Sequence, residues 1–189
     1  MKTSPWDANG LAARIDKYWY DNTEEGTARE RDALALSQVL LPGDILEVGC
    51  GSGRFYESIK GLLTGRDYLG IDYSKQMLNI ANNRYPEARF IHGNAERLGT
   101  IQSDNVVCRH VLQHVPDYKP VMRELLRVTR KMLFVCSWFF NEDEVNLTEF
   151  GYYDSHVGKK GVLDIVASCA PSASTRWLDG GQLVVYMER

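Results

Sequence analysis

The chain is expected to fold as an α/β protein, with a mostly parallel sheet covered by helices on both faces. Three observations support this. From Asp44 onward the apolar periodicity alternates between strand-like and helix-like segments. Met132 to Cys136 is apolar throughout, as a central strand buried on both faces should be. The connections between segments are short, as right-handed β-α-β crossovers in one sheet require.

Two helices are expected first, Leu11 to Tyr20 and Ala28 to Leu40. The second stops at Leu41-Pro42-Gly43, which supplies both a helix break and a turn. Ile45 to Val48 reads as a buried strand, followed by a glycine loop and a helix from Arg54 to Leu63. Tyr68 to Ile71 is the next strand and ends at Asp72. Ser74 is a good N-cap for a helix to Arg84, and Pro86 separates that helix from the strand Arg89 to His92. Asn105 to Cys108 reads as a strand, Tyr118 to Thr129 as a helix and Met132 to Cys136 as a strand. Gly161 to Ala170 suggests a helix. Thr175 to Trp177 and Leu183 to Met187, on either side of Asp179-Gly180-Gly181, suggest a closing antiparallel hairpin. The 189 residues are read as one domain: a helical cap over 1–42, a core over 44–138, a loop over 139–160, and a helix with hairpin over 161–189.

Composition narrows the function. A hydrophobic share of 44% with 25% charged residues belongs to a folded chain. The formal net charge of -3 gives no broad positive field, so no nucleic-acid partner is expected. No segment approaches the roughly 18 apolar residues of a membrane span, and Met1 to Gly10 lacks a signal-peptide core, so a cytoplasmic protein is expected. Cys50, Cys108, Cys136 and Cys169 are scattered without a CxxC pair and are read as buried free thiols.

The most informative segment is Glu47-Val48-Gly49-Cys50-Gly51-Ser52-Gly53, with a glycine at every second position between a buried strand and a helix. Without a Cβ, the backbone there can approach a ligand closely. The dinucleotide fingerprint GxGxxG would put its third glycine at Arg54, and a Walker loop would need a Gly-Lys-Ser/Thr that is missing. Ile45 to Phe55 resembles the glycine-rich motif of the class I S-adenosylmethionine-dependent methyltransferases, and the similarity extends over about Asp44 to Trp138. That resemblance implies a Rossmann-like three-layer sandwich with a mostly parallel seven-stranded sheet, a C-terminal antiparallel hairpin and N-terminal cap helices.

It also implies roles for individual residues. Gly49, Gly51 and Gly53 would line the methionine part of S-adenosylmethionine, with Glu47 orienting the loop or meeting the amino group. Asp72 would accept from both ribose hydroxyls, a task suited to an acceptor-only carboxylate. Tyr73 and Met77 would pack against the adenosine. Asn94 stands where the family more often has Asp, and its amide oxygen can accept from the adenine amino group, beside the backbone N–H of Ala95. Arg109 to Asp117 resembles the segment that borders the transferable methyl in small-molecule methyltransferases. Arg109 is taken there as cofactor-binding, His110 as the base, and His114 as fixing the loop. The two histidines alone do not make a metal site, and none is expected.

The cap is expected to place Tyr18-Trp19-Tyr20 and Arg29-Glu30-Arg31 over the cofactor, with an arginine for the methionine carboxylate. Trp138 to His156 combines Phe139, Phe140, Phe150, Tyr152 and Tyr153 with several carboxylates, and is expected to wall the acceptor pocket. The reaction so implied moves a methyl group to a small-molecule O, N or C nucleophile and releases S-adenosylhomocysteine. Two other readings stand beside it: a non-catalytic S-adenosylmethionine-binding subunit, and an NAD-dependent oxidoreductase on the related fold.

Overall fold

A computed structural model describes residues 4–8, 10–149 and 151–188. After a 3-10 turn, Pro5–Asp7, come two antechamber helices, α1 (Leu11–Asp21) and α2 (Thr23–Val39). The core follows as β1 (Ile45–Val48), α3 (Arg54–Ile59), β2 (Tyr68–Asp72), α4 (Lys75–Arg84), β3 (Arg89–His92) and β4 (Ser103–Arg109). A 3-10 turn, Leu112–His114, leads to α5 (Tyr118–Val128) and β5 (Thr129–Cys136). Then come a two-residue pair β6 (Phe139–Phe140) and β7 (Val157–Gly158), α6 (Lys159–Cys169), and the hairpin β8 (Ser174–Trp177) and β9 (Leu183–Tyr186).

The main sheet has the order β3-β2-β1-β4-β5-β9-β8. β1 pairs parallel with β2 and β4, β2 with β3 and β4 with β5, while β9 runs antiparallel to β5 and β8. This is the expected seven-stranded sheet with its terminal hairpin. The strand order reverses between β1 and β4, and the C-terminal ends there open the crevice in which such sheets hold ligands.

Strand alternation divides the core. Leu46, Val48, Val106, Leu133 and Val135 pack with Val121, Leu125, Val162 and Ile165 of α5 and α6. Ile45, Val107, Met132 and Phe134 face the other way, onto Leu36 of α2 and Phe55 and Ile59 of α3. Cys50, Cys108 and Cys136 are buried, but Cys169 is exposed near the end of α6, where its face meets no other layer. Among the described residues, no helix is long and apolar enough to cross a membrane.

α2 begins at Thr23, ahead of the expected Ala28. The Asn22 side chain accepts from the N–H groups of Glu24 and Glu25, and the two carboxylates sit in the positive first turn, so the helix runs through Gly26. The β6/β7 pair was not expected, because two-residue strands leave no periodic trace.

Asp16 fastens α1 to the core. Its carboxylate accepts from Ser52 Oγ at 2.5 Å, from Arg54 Nε at 2.9 Å and from Arg84 Nη2 at 2.7 Å. Burial pushes this carboxyl upward, but the bonds from Arg84, Arg54 and Ser52 outweigh it and hold it well below the usual carboxylate range. Removing one member leaves two guanidinium groups short of a partner, so Asp16→Ala should destabilise the chain by about 3 kcal/mol in urea unfolding. Because the folded-state pKa is depressed, the stabilisation is complete above about pH 4 and is lost as pH falls below it. The acid side of the stability profile should therefore be shallower in Asp16→Asn than in the wild type.

Candidate cofactor and acceptor site

The turn from β1 into α3 lies at the switch point. Gly49, Gly51 and Gly53 all have positive φ, at 81°, 53° and 78°. At Gly49 the requirement is also steric, since a Cβ would collide with the Val111 side chain. The N–H groups of Gly49 and Cys50 both donate to the carbonyl of Ile71, at 2.7 and 3.0 Å, tying the turn to the end of β2.

Asp72 ends β2 and is the second tie. Its Oδ2 accepts from Gly51 N–H and its Oδ1 from Ser74 N–H, both at 2.8 Å. Burial raises its pKa, the Ser74 and Gly51 N–H groups oppose that, and Asp7 adds to it. Asp7 arrives from the N-terminal turn, accepting from Ser74 Oγ at 2.5 Å and Gln76 N–H at 3.1 Å. Tyr73 stacks on His92 and Met77 is buried. Asn94 is exposed, and its Oδ1 accepts from Glu96 N–H at 2.9 Å, while half-buried Ala95 packs on the core.

Glu47 is fully buried in β1, and its carboxyl accepts from Tyr68 Oη at 2.5 Å. This hydrogen bond ties it to β2 and not to the glycine loop. Burial raises its pKa to about 7, against the opposing effects of Tyr68 and Arg109.

Arg109 turns toward α2. Its Nε donates to Asp32 Oδ2 at 2.6 Å, Gln182 Nε2 donates to Asp32 Oδ1 at 2.7 Å, and the Cys136 thiol lies 3.5 Å from Oδ2. Arg109 Nη2 is buried with no partner among the described residues. Donor atoms of Asp32, His110 and Cys136 lie within 4.8 Å of one another. The Arg109 guanidinium already supplies the positive charge that this cluster calls for.

His110 has φ 52°, a left-handed backbone unusual for a side chain of its size, and its N–H donates to Cys136 O at 2.7 Å. Its Nδ1 is 3.0 Å from Gln113 Nε2, whose amide oxygen accepts from Ser137 Oγ at 2.7 Å, and its Nε2 lies 3.8 Å from Cys136 Sγ. Burial, with Arg109 nearby, lowers its pKa to about 3. The imidazole, expected as the base, is thus held inward between Gln113 and Cys136.

His114 does fix the loop, through Nδ1 and the carbonyl of Tyr153 at 2.7 Å. The loop folds back along itself by backbone bonds between Glu144 and His156, and Ser155 N–H donates to Gln113 O at 2.9 Å. Trp6 stacks on Tyr152 at 4.8 Å, and both rings meet His114 edge-on, at 5.4 and 6.0 Å. The N-terminal turn thus packs an aromatic ring onto this loop. Phe150 and the Trp19 side chain lie outside the described residues. Tyr18 and Tyr20 are exposed, and Tyr20 lies under Arg54 at 4.6 Å. Asp7, Asp16, Asp32 and Gln182 were not foreseen. A carboxylate on the apolar face of α2, as at Asp32, is the one signal in the sequence that could have marked them.

Residues 46–134 match the family model described as a methyltransferase domain. The trans-aconitate 2-methyltransferase of Rhodopseudomonas palustris is 30% identical over 104 residues, covering 54% of this chain and 41% of that protein. The demethylmenaquinone methyltransferase of Bacillus licheniformis is 32% identical over 127 residues, 64% of this chain and 50% of that one. The ubiquinone biosynthesis O-methyltransferase of Methylococcus capsulatus is 30% identical over 159 residues, 76% and 64%. The chain thus spans about half the length of the curated relatives it matches. In fold it is similar to the magnesium protoporphyrin IX methyltransferase of Synechocystis, with a TM-score of 0.68 at 17% identity, covering 97% of this chain and 93% of that one. DesVI of Streptomyces venezuelae gives 0.68 at 15% identity, covering 94% and 98%.

The buried carboxyl of Glu47 makes stability depend on pH. Its folded-state pKa is raised, so the stabilisation is full below about pH 4.5 and is lost as pH rises through about 7. Glu47→Gln keeps the shape without the ionisation, and should be more stable than the wild type at pH 8 by up to about 3 kcal/mol, with the difference shrinking toward pH 5. Urea unfolding at the two pH values measures it.

Proposed function

We propose that this chain is a class I S-adenosylmethionine-dependent methyltransferase, which binds S-adenosylmethionine and transfers its methyl group to a small-molecule O, N or C nucleophile, leaving S-adenosylhomocysteine; the match of residues 46–134 to the methyltransferase-domain model and the likeness in fold support the reading. The observation that carries the reading is the bond from Gly51 N–H to Asp72 Oδ2, which puts a left-handed glycine turn and an acceptor-only carboxylate side by side at the switch point.

The residues fit the cofactor. An ionised carboxylate has about four lone-pair sites, and one backbone N–H on each Asp72 oxygen leaves room for two vicinal hydroxyls. The glycines give the methionine part a backbone surface, Tyr73 and Met77 flank the adenosine, and Asn94 and Ala95 meet the adenine. Arg109 Nη2 is a buried donor in want of an acceptor, suited to the anionic end of the cofactor. When bound, S-adenosylmethionine supplies a methyl already activated by its sulfonium. The chain's own work is to align the nucleophile and keep water out. The N-terminal turn does part of the second task by packing Trp6 onto the loop. The relatives are named for trans-aconitate, demethylmenaquinone and ubiquinone biosynthesis, which supports a small-molecule acceptor.

Asp72→Ala removes the acceptor for the ribose and should weaken S-adenosylmethionine binding by about 10- to 100-fold, the loss of one or two charge-assisted hydrogen bonds. Calorimetric titration of both proteins tests this. Equal affinities would exclude the ribose role.

A further inference from the structure

We propose that Asp32, His110 and Cys136 form a zinc site that fastens the cap helix α2 to the residue after β4 and to the end of β5. Asp32 and Cys136 are 104 residues apart, and His110 and Cys136 are 26 apart, so the fold alone brings the three together.

The donor set is one that zinc takes: a carboxylate oxygen, an imidazole nitrogen and a thiolate sulfur. One donor atom from each residue lies within 4.8 Å of the other two. Cys136 Sγ is 3.5 Å from Asp32 Oδ2 and 3.8 Å from His110 Nε2. Zinc bonds of about 2.3 Å to sulfur and about 2.0–2.2 Å to nitrogen and oxygen, set at the tetrahedral angle, hold the ligand atoms about 3.6 Å apart. Both separations match that edge to within about 0.2 Å. The left-handed backbone at His110, φ 52°, and its N–H bond to Cys136 O at 2.7 Å bring the ring back toward the thiol.

The surroundings hold each donor in place. Gln182 Nε2 donates to Asp32 Oδ1 at 2.7 Å, which leaves Oδ2 as the ligand. That bond also denies Arg109 the fork that a guanidinium makes on both oxygens of a carboxylate. Arg109 holds Oδ2 through Nε at 2.6 Å, and its Nη2 is buried with no hydrogen-bond partner among the described residues. A half-matched guanidinium is a counter-ion that a better-matched cation can replace. Zinc would take the Oδ2 that Arg109 now holds, and the Asp32 carboxylate with the Cys136 thiolate would balance its two positive charges.

Binding through His110 Nε2 needs the ring hydrogen on Nδ1. Gln113 Nε2 lies 3.0 Å from Nδ1, and a half-turn of the amide presents its oxygen there instead. Ser137 Oγ, which donates to that amide, can accept from it after the turn. The Cys136 S–H proton leaves to solvent as the sulfur–zinc bond forms, the His110 ring changes tautomer without net loss, and nothing is oxidised or reduced. A water fills the fourth position. Asp32 and Cys136 are buried, while His110 is half-buried and gives the ion its way in. None of these steps uses the methyl donor.

The site is tested by calorimetric titration of the full chain with zinc sulfate and by absorption spectroscopy with cobalt(II) chloride. Both are made in a Cys169→Ser background, so that the exposed thiol does not contribute. The expected results are saturable binding of one zinc per chain and, with cobalt, a thiolate-to-cobalt charge-transfer band. Cys136→Ser should abolish the band. Both Cys136→Ser and His110→Asn should weaken zinc binding by more than about 100-fold, since partners outside the ligand shell alone are worth about 10- to 100-fold. Asparagine tolerates the left-handed backbone at His110, and urea midpoints without zinc show whether each variant folds. Should Cys136→Ser fail to fold, the loss of affinity in His110→Asn decides. No zinc binding, a cobalt complex without the band, a band that survives in Cys136→Ser, or unchanged affinity in His110→Asn would overturn the site.

Discussion

The turn after β1 has to pass beneath Val111 with its backbone left-handed at three alternate positions, and side chains do not fit that path. Four elements are registered to it. β2 holds it through Ile71 and Asp72, the segment after β4 reaches it through Val111, α1 clamps its far side through Asp16 and Ser52, and Arg84 of α4 donates to Ser52 O at 3.2 Å. A change at the turn is therefore felt by every group proposed to touch cofactor or acceptor. Rigid placement of this kind suits a reaction whose leaving group is already activated, where alignment supplies most of the help the protein can give.

Charge is buried on both sides of the turn under different terms. Asp16 and Asp32 are each paired with guanidinium groups, Asp16 with Arg54 and Arg84 and Asp32 with Arg109. Glu47 has a phenol as its side-chain hydrogen-bond partner among the described residues, and burial drives it toward the protonated form. Among the described residues, the buried side-chain atoms Arg109 Nη2, Gln182 Oε1 and Asp154 Oδ1 have no hydrogen-bond partner.

The strands and the glycine turn were legible because they depend on neighbours in sequence: apolar runs, a glycine every second residue, and Asp72 at a strand end. α2 starts ahead of the expected Ala28 because the Asn22 cap and the acidic first turn carry the helix through Gly26. The clamps by Asp7 and Asp16 pair residues tens of positions apart and leave no local pattern. His110 and His114 are the same residue type four positions apart. One is held by Gln113, three residues on, and the other by Tyr153, 39 residues away. Composition and spacing carry no trace of that difference.

The reading of the turn and Asp72 as an adenosyl-cofactor site is tested most directly by calorimetric titration of the wild-type chain with S-adenosylmethionine, S-adenosylhomocysteine and NAD in parallel. Saturable binding of the two adenosyl ligands with none for NAD is the predicted result. Preference for NAD, or no binding of any of the three, would contradict it.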